Sequence, residues 1–596
     1  MSLSTLDWSI IFIFFIVFLV IGILVSKKAG KSSQEFFLSG RNMPWWLLGV
    51  SMVATTFSAD TPNLVTDIVR QNGVSGNWVW WAFLITGMLT VFIYAKLWRR
   101  SGVLTDLEFY EKRYSGKEAA FLRGFRSIYL GVFFNIMIMA TVCLAAIKIG
   151  GILFGLAPWE TVIYASIVTV AYSSMGGLRG VILTDFIQFI IAMIGSVWAA
   201  IYVINMPEVG GLHALVTNES VVGKLDFLPD FNNWETLVPL FIIPIAVQWW
   251  SVWYPGAEPG GGGYIAQRML SAKDEKNAIG ATLFFNIAHY ALRPWPWIII
   301  ALASLVVYPD LDSIAKQFPN IDTNIIGHDI AYPAMLLSLP KGLIGIVIAS
   351  LIAAFMSTIS THLNWGSSYI VHDFYQRFVN PEATEKKLVN VGRISTILLM
   401  AFAALFSLAL SNALGAFQIL LQIGAGTGLV FILRWFWWRI NAYSEITGMI
   451  VSFLMALYFQ FVHGHFFTPL SNHIELILGI LITTIAWVTV TLLTKPTDQS
   501  VLVSFYSLVK PYGRGWNKFK KMATDQGVTL PKGHDNFTKD LLSMFLGIVI
   551  VYFALFATGF FIYGKNMTAY ILSAIVAVCV FLLIKLWRNK KQADVA

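Results

Sequence analysis

Ser357, Thr358, Ser360 and Thr361 put four hydroxyls into five positions of an otherwise apolar segment, GLIGIVIASLIAAFMSTISTHLNWGSSYIVHDFY at 342–375. Helical spacing places Ala354, Ser357, Thr358 and Thr361 on one face, with Ser360 beside them. One or two hydroxyls would serve close helix packing or bond back to their own carbonyls. Four exceed that need and point to a cation site. A hard cation such as sodium takes oxygen ligands. Hydroxyls from an intact helix, with carbonyls freed by a broken neighbour, supply them without a buried net charge.

A broken neighbour is present. Residues 45–71, WWLLGVSMVATTFSADTPNLVTDIVRQ, are long enough to cross a bilayer but carry Ser58, Asp60, Thr61, Pro62 and Asn63 at mid-length. Pro62 removes a backbone donor, and Asp60 is expensive at that depth. Opened backbone survives in a membrane only where it lines an enclosed cavity, so this span predicts an ion and solute site. A second interruption lies at 247–268, where Pro255, Pro259 and four glycines from Gly260 forbid an ordinary helix. Gln248, Trp249, Trp250, Trp253 and Tyr254 beside it are candidates for the cavity wall. Arg293 is expected near mid-depth of the span 278–307. It is either a structural partner for Asp60 or another buried acid, or a fork for a solute carboxylate or hydroxyl array. His289, one turn earlier, is expected to pack or bond locally. Lys148 is expected near the outer end of its span, able to snorkel.

The elements that must hold these groups are membrane helices. Of 596 residues, 57% are hydrophobic and 12% charged, more apolar surface than a soluble chain of this size could bury. The pattern predicts an all-α polytopic protein of about 15 spans. With the N-terminus outside, lysines and arginines gather in the inner loops, while the two long outer loops are mainly acidic. Topology therefore explains the net charge of +9, and no nucleic-acid partner is implied. The odd span count puts the C-terminus in the cytoplasm. The first apolar run, Leu6 to Val25, reads as a retained span. Cys143 and Cys579 offer neither metal spacing nor a plausible disulfide. The basic segment 495–538 is expected to rest on anionic headgroups. No catalytic motif appears in a plausible context, and an enzyme is not expected.

The sequence resembles the sodium:solute symporters, through Gly49-Val50-Ser51-Met52-Val53-Ala54 to Ser58-Ala59-Asp60 and Gly176-Gly177-Leu178-Arg179-Gly180-Val181 to Thr184-Asp185-Phe186-Ile187-Gln188. Gln267-Arg268 before Lys273 and the Ala354-to-Thr361 cluster add to it. The resemblance covers roughly residues 5–495. It implies LeuT-like inverted five-helix repeats at 45–206 and 207–438. Residues 1–44 would form a leading span and loop, 439–494 two further spans, 495–538 a cytoplasmic loop, and 539–596 two last spans and a tail.

By the same resemblance, a first sodium site takes carbonyls of Ala54, Phe57 and Ala354 with the hydroxyls of Ser357 and Thr358. A second, found in some members, takes Asp185, Ser357, Ser360 and Thr361. Gln418 and Gln422 match the position of a sugar-binding glutamine. Asp60-Thr61-Pro62 departs from the acid-glutamine pair of the sugar transporters, so the solute contact there differs. The resulting expectation is sodium-coupled uptake of a sugar or sugar acid across the cell (inner) membrane. Its ligands would be one or two sodium ions and one small organic solute, bound at Asp60, Thr61, Gln248, Trp250, Trp253, Arg293, Gln418 and Gln422. The chain would work in the lipid bilayer with no obligate protein partner. Alternatives are a symporter for an amino acid or other carboxylate, a proton-coupled carrier, or a transporter-like sensor.

Overall fold

The computed structural model describes residues 3–29, 32–251, 259–319, 326–410, 413–531, 533 and 536–593; Trp253, Tyr254 and Pro255 lie outside them. Among the described residues the regular structure is helical, with one isolated bridge between Met43 and Ala272. In hydrocarbon a helix satisfies its own backbone, so long apolar runs fold that way.

The helices in chain order are α1 (Thr5–Ala29), α2 (Trp45–Thr56), α3 (Asp60–Asn72), α4 (Val74–Ser101), α5 (Gly116–Phe154) and α6 (Pro158–Ile204). They continue with α7 (Trp234–Ala246), α8 (Gly263–Ser271), α9 (Glu275–Val307), α10 (Leu343–Val379), α11 (Glu385–Ser407) and α12 (Ala413–Phe436). The last are α13 (Ala442–Phe466), α14 (Asn472–Leu493), α15 (Gln499–Val509), α16 (Asn517–Asp525), α17 (Phe537–Ile562) and α18 (Asn566–Ala593). Among the described residues ten helices are long and apolar enough to span a bilayer, and this is a multi-pass membrane protein.

Both expected interruptions are present. α2 stops at Thr56, Phe57 turns to φ −91°, ψ 84°, and α3 restarts at Asp60. Pro62 falls in the first turn of α3, where a missing N–H costs nothing. The second expected break separates α7 from α8, whose first residue is Gly263. α6 is one long helix kinked at Gly177 (φ 53°, ψ −168°). Only glycine enters that region without strain.

The central pillar is α10. Its most apolar window is 89% buried, against 17% for α18 at the periphery. α10 packs along α6 and α1 on one side and approaches α5 on the other. A Cβ at Gly366 would lie 2.7 Å from the Gly131 carbonyl oxygen, so the α5–α10 approach needs glycine there. On the loop face rich in lysine and arginine (the basic face), Arg123 ties the two helices. Its Nε is 2.7 Å from Asp373 Oδ1 and its Nη1 2.7 Å from Glu111 Oε2. Arg377 reaches the same glutamate at 2.9 Å. Burial opposes ionisation of Glu111, yet these guanidiniums together hold its carboxyl below the usual carboxylate range.

The segment 495–538 corrects the expectation that it rests on headgroups. Its apolar side is buried in protein. Trp516 is buried and donates from Nε1 to the Trp435 carbonyl at 2.8 Å, and Phe505 and Phe519 are buried beside it. The guanidinium of Arg113 stacks over Phe505 and Trp516 and donates to the Arg434 and Trp437 carbonyls at the end of α12. Gly515 makes the fit, since a Cβ there would meet the Phe436 carbonyl oxygen at 2.1 Å. Gly515→Val is expected to cost about 1–3 kcal/mol by overpacking. It should lower the detergent-solution melting temperature, whereas Gly464→Ala, with open space around it, should leave it unchanged.

Candidate ion and solute site

The open end of α2 leaves carbonyls without helical partners, and α10 answers with hydroxyls. Thr358 Oγ1 donates to the Thr55 carbonyl at 2.8 Å. One position earlier, Ser357 Oγ donates to Asp185 Oδ1 on α6 at 2.6 Å. Ser51 Oγ on α2 meets the other oxygen of that carboxylate at 2.5 Å. Adjacent hydroxyls of one helix thus face two different elements.

Between them lies Arg268 of α8, fully buried. Its Nη2 is 2.8 Å from Thr361 Oγ1, 3.1 Å from Thr55 Oγ1 and 3.6 Å from Asp185 Oδ2. Its Nε donates to Ser51 Oγ at 3.0 Å. A buried carboxylate is therefore balanced by a buried guanidinium that also satisfies the hydroxyls around it, the arrangement a low dielectric demands. Ser360 Oγ bonds back to the Ser357 carbonyl at 3.1 Å and does not reach Asp185.

Beside this cluster is a cavity of about 110 Å3, measured over positions that water centres can occupy. Asp60, Thr61, Arg293 and Thr358 line it, as do Trp80, Phe83, Thr141, Tyr290 and His362. Arg293 Nη1 donates to the Val53 carbonyl at 3.2 Å and to Thr56 Oγ1 at 3.1 Å, and its guanidinium lies 5.4 Å from the Trp297 ring centroid. These contacts, at the C-terminal end of the α2 dipole, replace the ion pair with Asp60 that was one expectation. Arg293 Nε stays buried without a hydrogen-bond partner. His289 meets Arg293 one turn on, Nε2 to Nη2 at 3.4 Å, but it also reaches across to α2, its Nδ1 3.1 Å from Thr56 Oγ1, and lines the cavity.

Several expected wall residues are elsewhere. Gln248 donates to the Val79 carbonyl at 2.6 Å, and Trp250 packs so that its carbonyl lies against Gly428. Gln422 points to Glu475 at 2.8 Å. None of the three lines the cavity. A primary amide on a helix takes the nearest acceptor, which sequence position does not reveal. Trp253 lies outside the described residues, as does the side chain of Gln418. Ala54 and Ala354 are both buried, and the Ala54 carbonyl accepts from Phe57 N at 3.1 Å. Phe57 packs its ring 4.9 Å from that of Trp297. Lys148 does not snorkel; it is buried and paired with Asp329 at 2.5 Å.

Sequence reasoning missed Thr141, Trp80, Phe83, Tyr290 and His362. The signal for His362 was a histidine and an asparagine in apolar spans. His362 Nδ1 meets Asn135 Oδ1 at 2.6 Å, while Asn135 Nδ2 donates to the His362 carbonyl at 2.9 Å.

Comparison with known proteins identifies the family. The Sodium:solute symporter family profile matches residues 36–452. The chain belongs to the sodium:solute symporter family, a family of transporters. It is 26% identical over 478 residues to a sodium/glucose cotransporter of Vibrio parahaemolyticus, covering 77% of this chain and 86% of that one. Sodium/glucose cotransporter 1 of Oryctolagus cuniculus is 26% identical over 542 residues, covering 82% and 79%. Among solved structures, a substrate-bound, outward-open Na+-coupled sialic acid symporter superposes with a TM-score of 0.68 at 22% identity. That match covers 83% of this chain and 99% of the other. The LeuT-like all-helical fold is thereby established.

Arg268→Gln alone should strand the Asp185 carboxylate and destabilise by about 3–5 kcal/mol. Arg268→Gln with Asp185→Asn should recover most of the lost melting temperature. A double variant as unstable as the single one would show that the pair's charge balance is not what matters.

Proposed function

We propose that the chain imports a sugar or sugar acid together with sodium by alternating access, with no covalent chemistry. The carrying observation is the Thr358 hydroxyl on the Thr55 carbonyl, where the hydroxyl face of α10 meets the open end of α2 beside the cavity. Sodium takes the carbonyls of Ala54, Phe57 and Ala354 with the hydroxyls of Ser357 and Thr358. Binding there requires Thr358 to exchange a carbonyl for an ion, a small rotation that closes α2 against α10. Ion and solute then favour the same occluded state, which is all that coupling requires. A second sodium ion at Asp185, Ser357, Ser360 and Thr361 would have to move Arg268 aside, so one ion is the simpler stoichiometry.

The solute lies in the cavity. Asp60, Thr61 and Thr141 meet hydroxyls, and Trp80, Phe83 and Tyr290 cover an apolar ring face. The names of the relatives, for glucose and for sialic acid, agree with that chemistry. The free Nε of Arg293 favours an acidic sugar among them, and by the same observation keeps a non-sugar carboxylate as the second reading. Residues 45–206 and 207–438 act as the two repeats. The basic face is cytoplasmic in the cell (inner) membrane, with the N-terminus outside and the C-terminus inside.

Purified protein in liposomes with an inward sodium gradient tests this against D-galactose, D-glucuronate and N-acetylneuraminate. Uptake of at least one should require sodium, and Thr358→Ala should raise the sodium concentration for half-activation about tenfold or more. Unchanged sodium activation in that variant would sink the ion assignment. Arg293→Gln should remove uptake of the acids while sodium binding, followed by thermal shift, persists.

A further inference from the structure

Between the cavity and the acidic face, Asp60 also lines a second, smaller pocket together with Asn63, Asp67, Lys148 and Asp329. Asp60, Asn63 and Asp67 stand at i, i+3 and i+7 on α3 and so form one face. Asn63 is 3% exposed, and neither its Oδ1 nor its Nδ2 has a hydrogen-bond partner. A buried amide left so is costly unless something else meets it. Asp67, also buried, receives one bond from Gln71 Nε2 at 2.6 Å. Opposite, Lys148 Nζ on α5 lies 2.5 Å from Asp329 Oδ2 in the 3-10 turn His328–Ile330, with its side chain 3% exposed.

Three carboxylates and one ammonium line about 10 Å3 of free space, and Arg293 acting on Asp60 and Arg70 acting on Asp67 from outside the pocket reduce its excess of negative charge. That volume is near the lower limit for one water-sized occupant. Among the described residues no three acidic, histidine or cysteine side chains are disposed to chelate a metal ion. A divalent ion, which needs a tight cage, is thus a poor fit. A singly charged cation is a good one, since it neutralises surplus charge and accepts the Asn63 Oδ1 lone pair.

We propose that this pocket is an outer monovalent-cation site, separate from the α2–α10 site. Its occupant is a sodium ion on its way in or an ammonium group carried by a solute. The Lys148 ammonium, paired with Asp329, competes for the same carboxylates and offsets part of their charge when no other cation is present. The inference adds to the proposed function and depends on it only for which face is outside.

The test uses full-length protein in detergent without solute, titrating sodium chloride against choline chloride at constant ionic strength and reading the melting temperature. The background is Thr358→Ala, which moves the response of the first sodium site to about tenfold higher sodium, above the range titrated. A residual sodium-dependent shift is expected there. Asn63→Leu or Asp67→Asn should weaken it about tenfold, and Lys148→Met should move its midpoint to lower sodium. Should Asn63→Leu fail to fold, Asp67→Asn and Lys148→Met still move the midpoint in opposite directions. No residual shift, or one that Asp67→Asn and Lys148→Met leave in place, overturns the proposal. A Thr358→Ala protein indistinguishable from wild type would instead count against the first sodium site. Methylammonium chloride in a parallel titration separates the two sources. A shift with the same variant dependence assigns the pocket to ammonium groups as well, and a response to sodium alone assigns it to the ion.

Discussion

The carbonyls at the open end of α2 constrain everything around them. Hydrocarbon offers no hydrogen bonds, so backbone released at 57–59 must be met by protein, ion or cavity water. Thr358 meets the Thr55 carbonyl, and Arg293 adds a second donor to the Val53 carbonyl, which already closes on Phe57 N. The hydroxyls of α10 can serve only because α10 is held in place along its length. Its packing on α6, the glycine contact with α5 and the Arg123 clasp at the basic face provide that.

A second layer follows from burying Asp185. Its carboxylate orients Ser51 and Ser357, and Arg268 pays for it in charge while bridging to Thr55 and Thr361. Three helices and the short α8 are thereby cross-linked through polar atoms in a region where every such atom must be matched. Because α8 follows the second break, this network also joins the two interrupted segments. A shift of one is felt by the other through Arg268.

How far the sequence revealed this depended on the kind of signal. Breaks and hydroxyl clusters are local, and Pro62, Asp60 and the 357–361 run announced the two helices that meet. Lengths and charge distribution announced the membrane, while the family's fold came only with the resemblance in the motifs. Partner choice is not local. Arg268 was quoted only as part of a motif, and its place beside Asp185 needed α6 and α8 to be brought together. Gln248 and Gln422 were assigned to the cavity by position, yet each turned to a closer acceptor. The docking of Trp516 was unreadable for a related reason: an amphipathic segment looks the same whether its groove is lipid or protein.

The balance of Asp185 against Arg268 has an electrical meaning. The empty hydroxyl site stands at zero net charge, because the two buried ions cancel. On the proposed assignment, sodium adds one positive charge that nothing in the site offsets. The membrane potential therefore acts on the sodium charge that loading adds to this site, by about 2.3 kcal/mol per charge for each 100 mV. A neutral sugar would ride inward with current, and an acidic sugar would travel electrically silent.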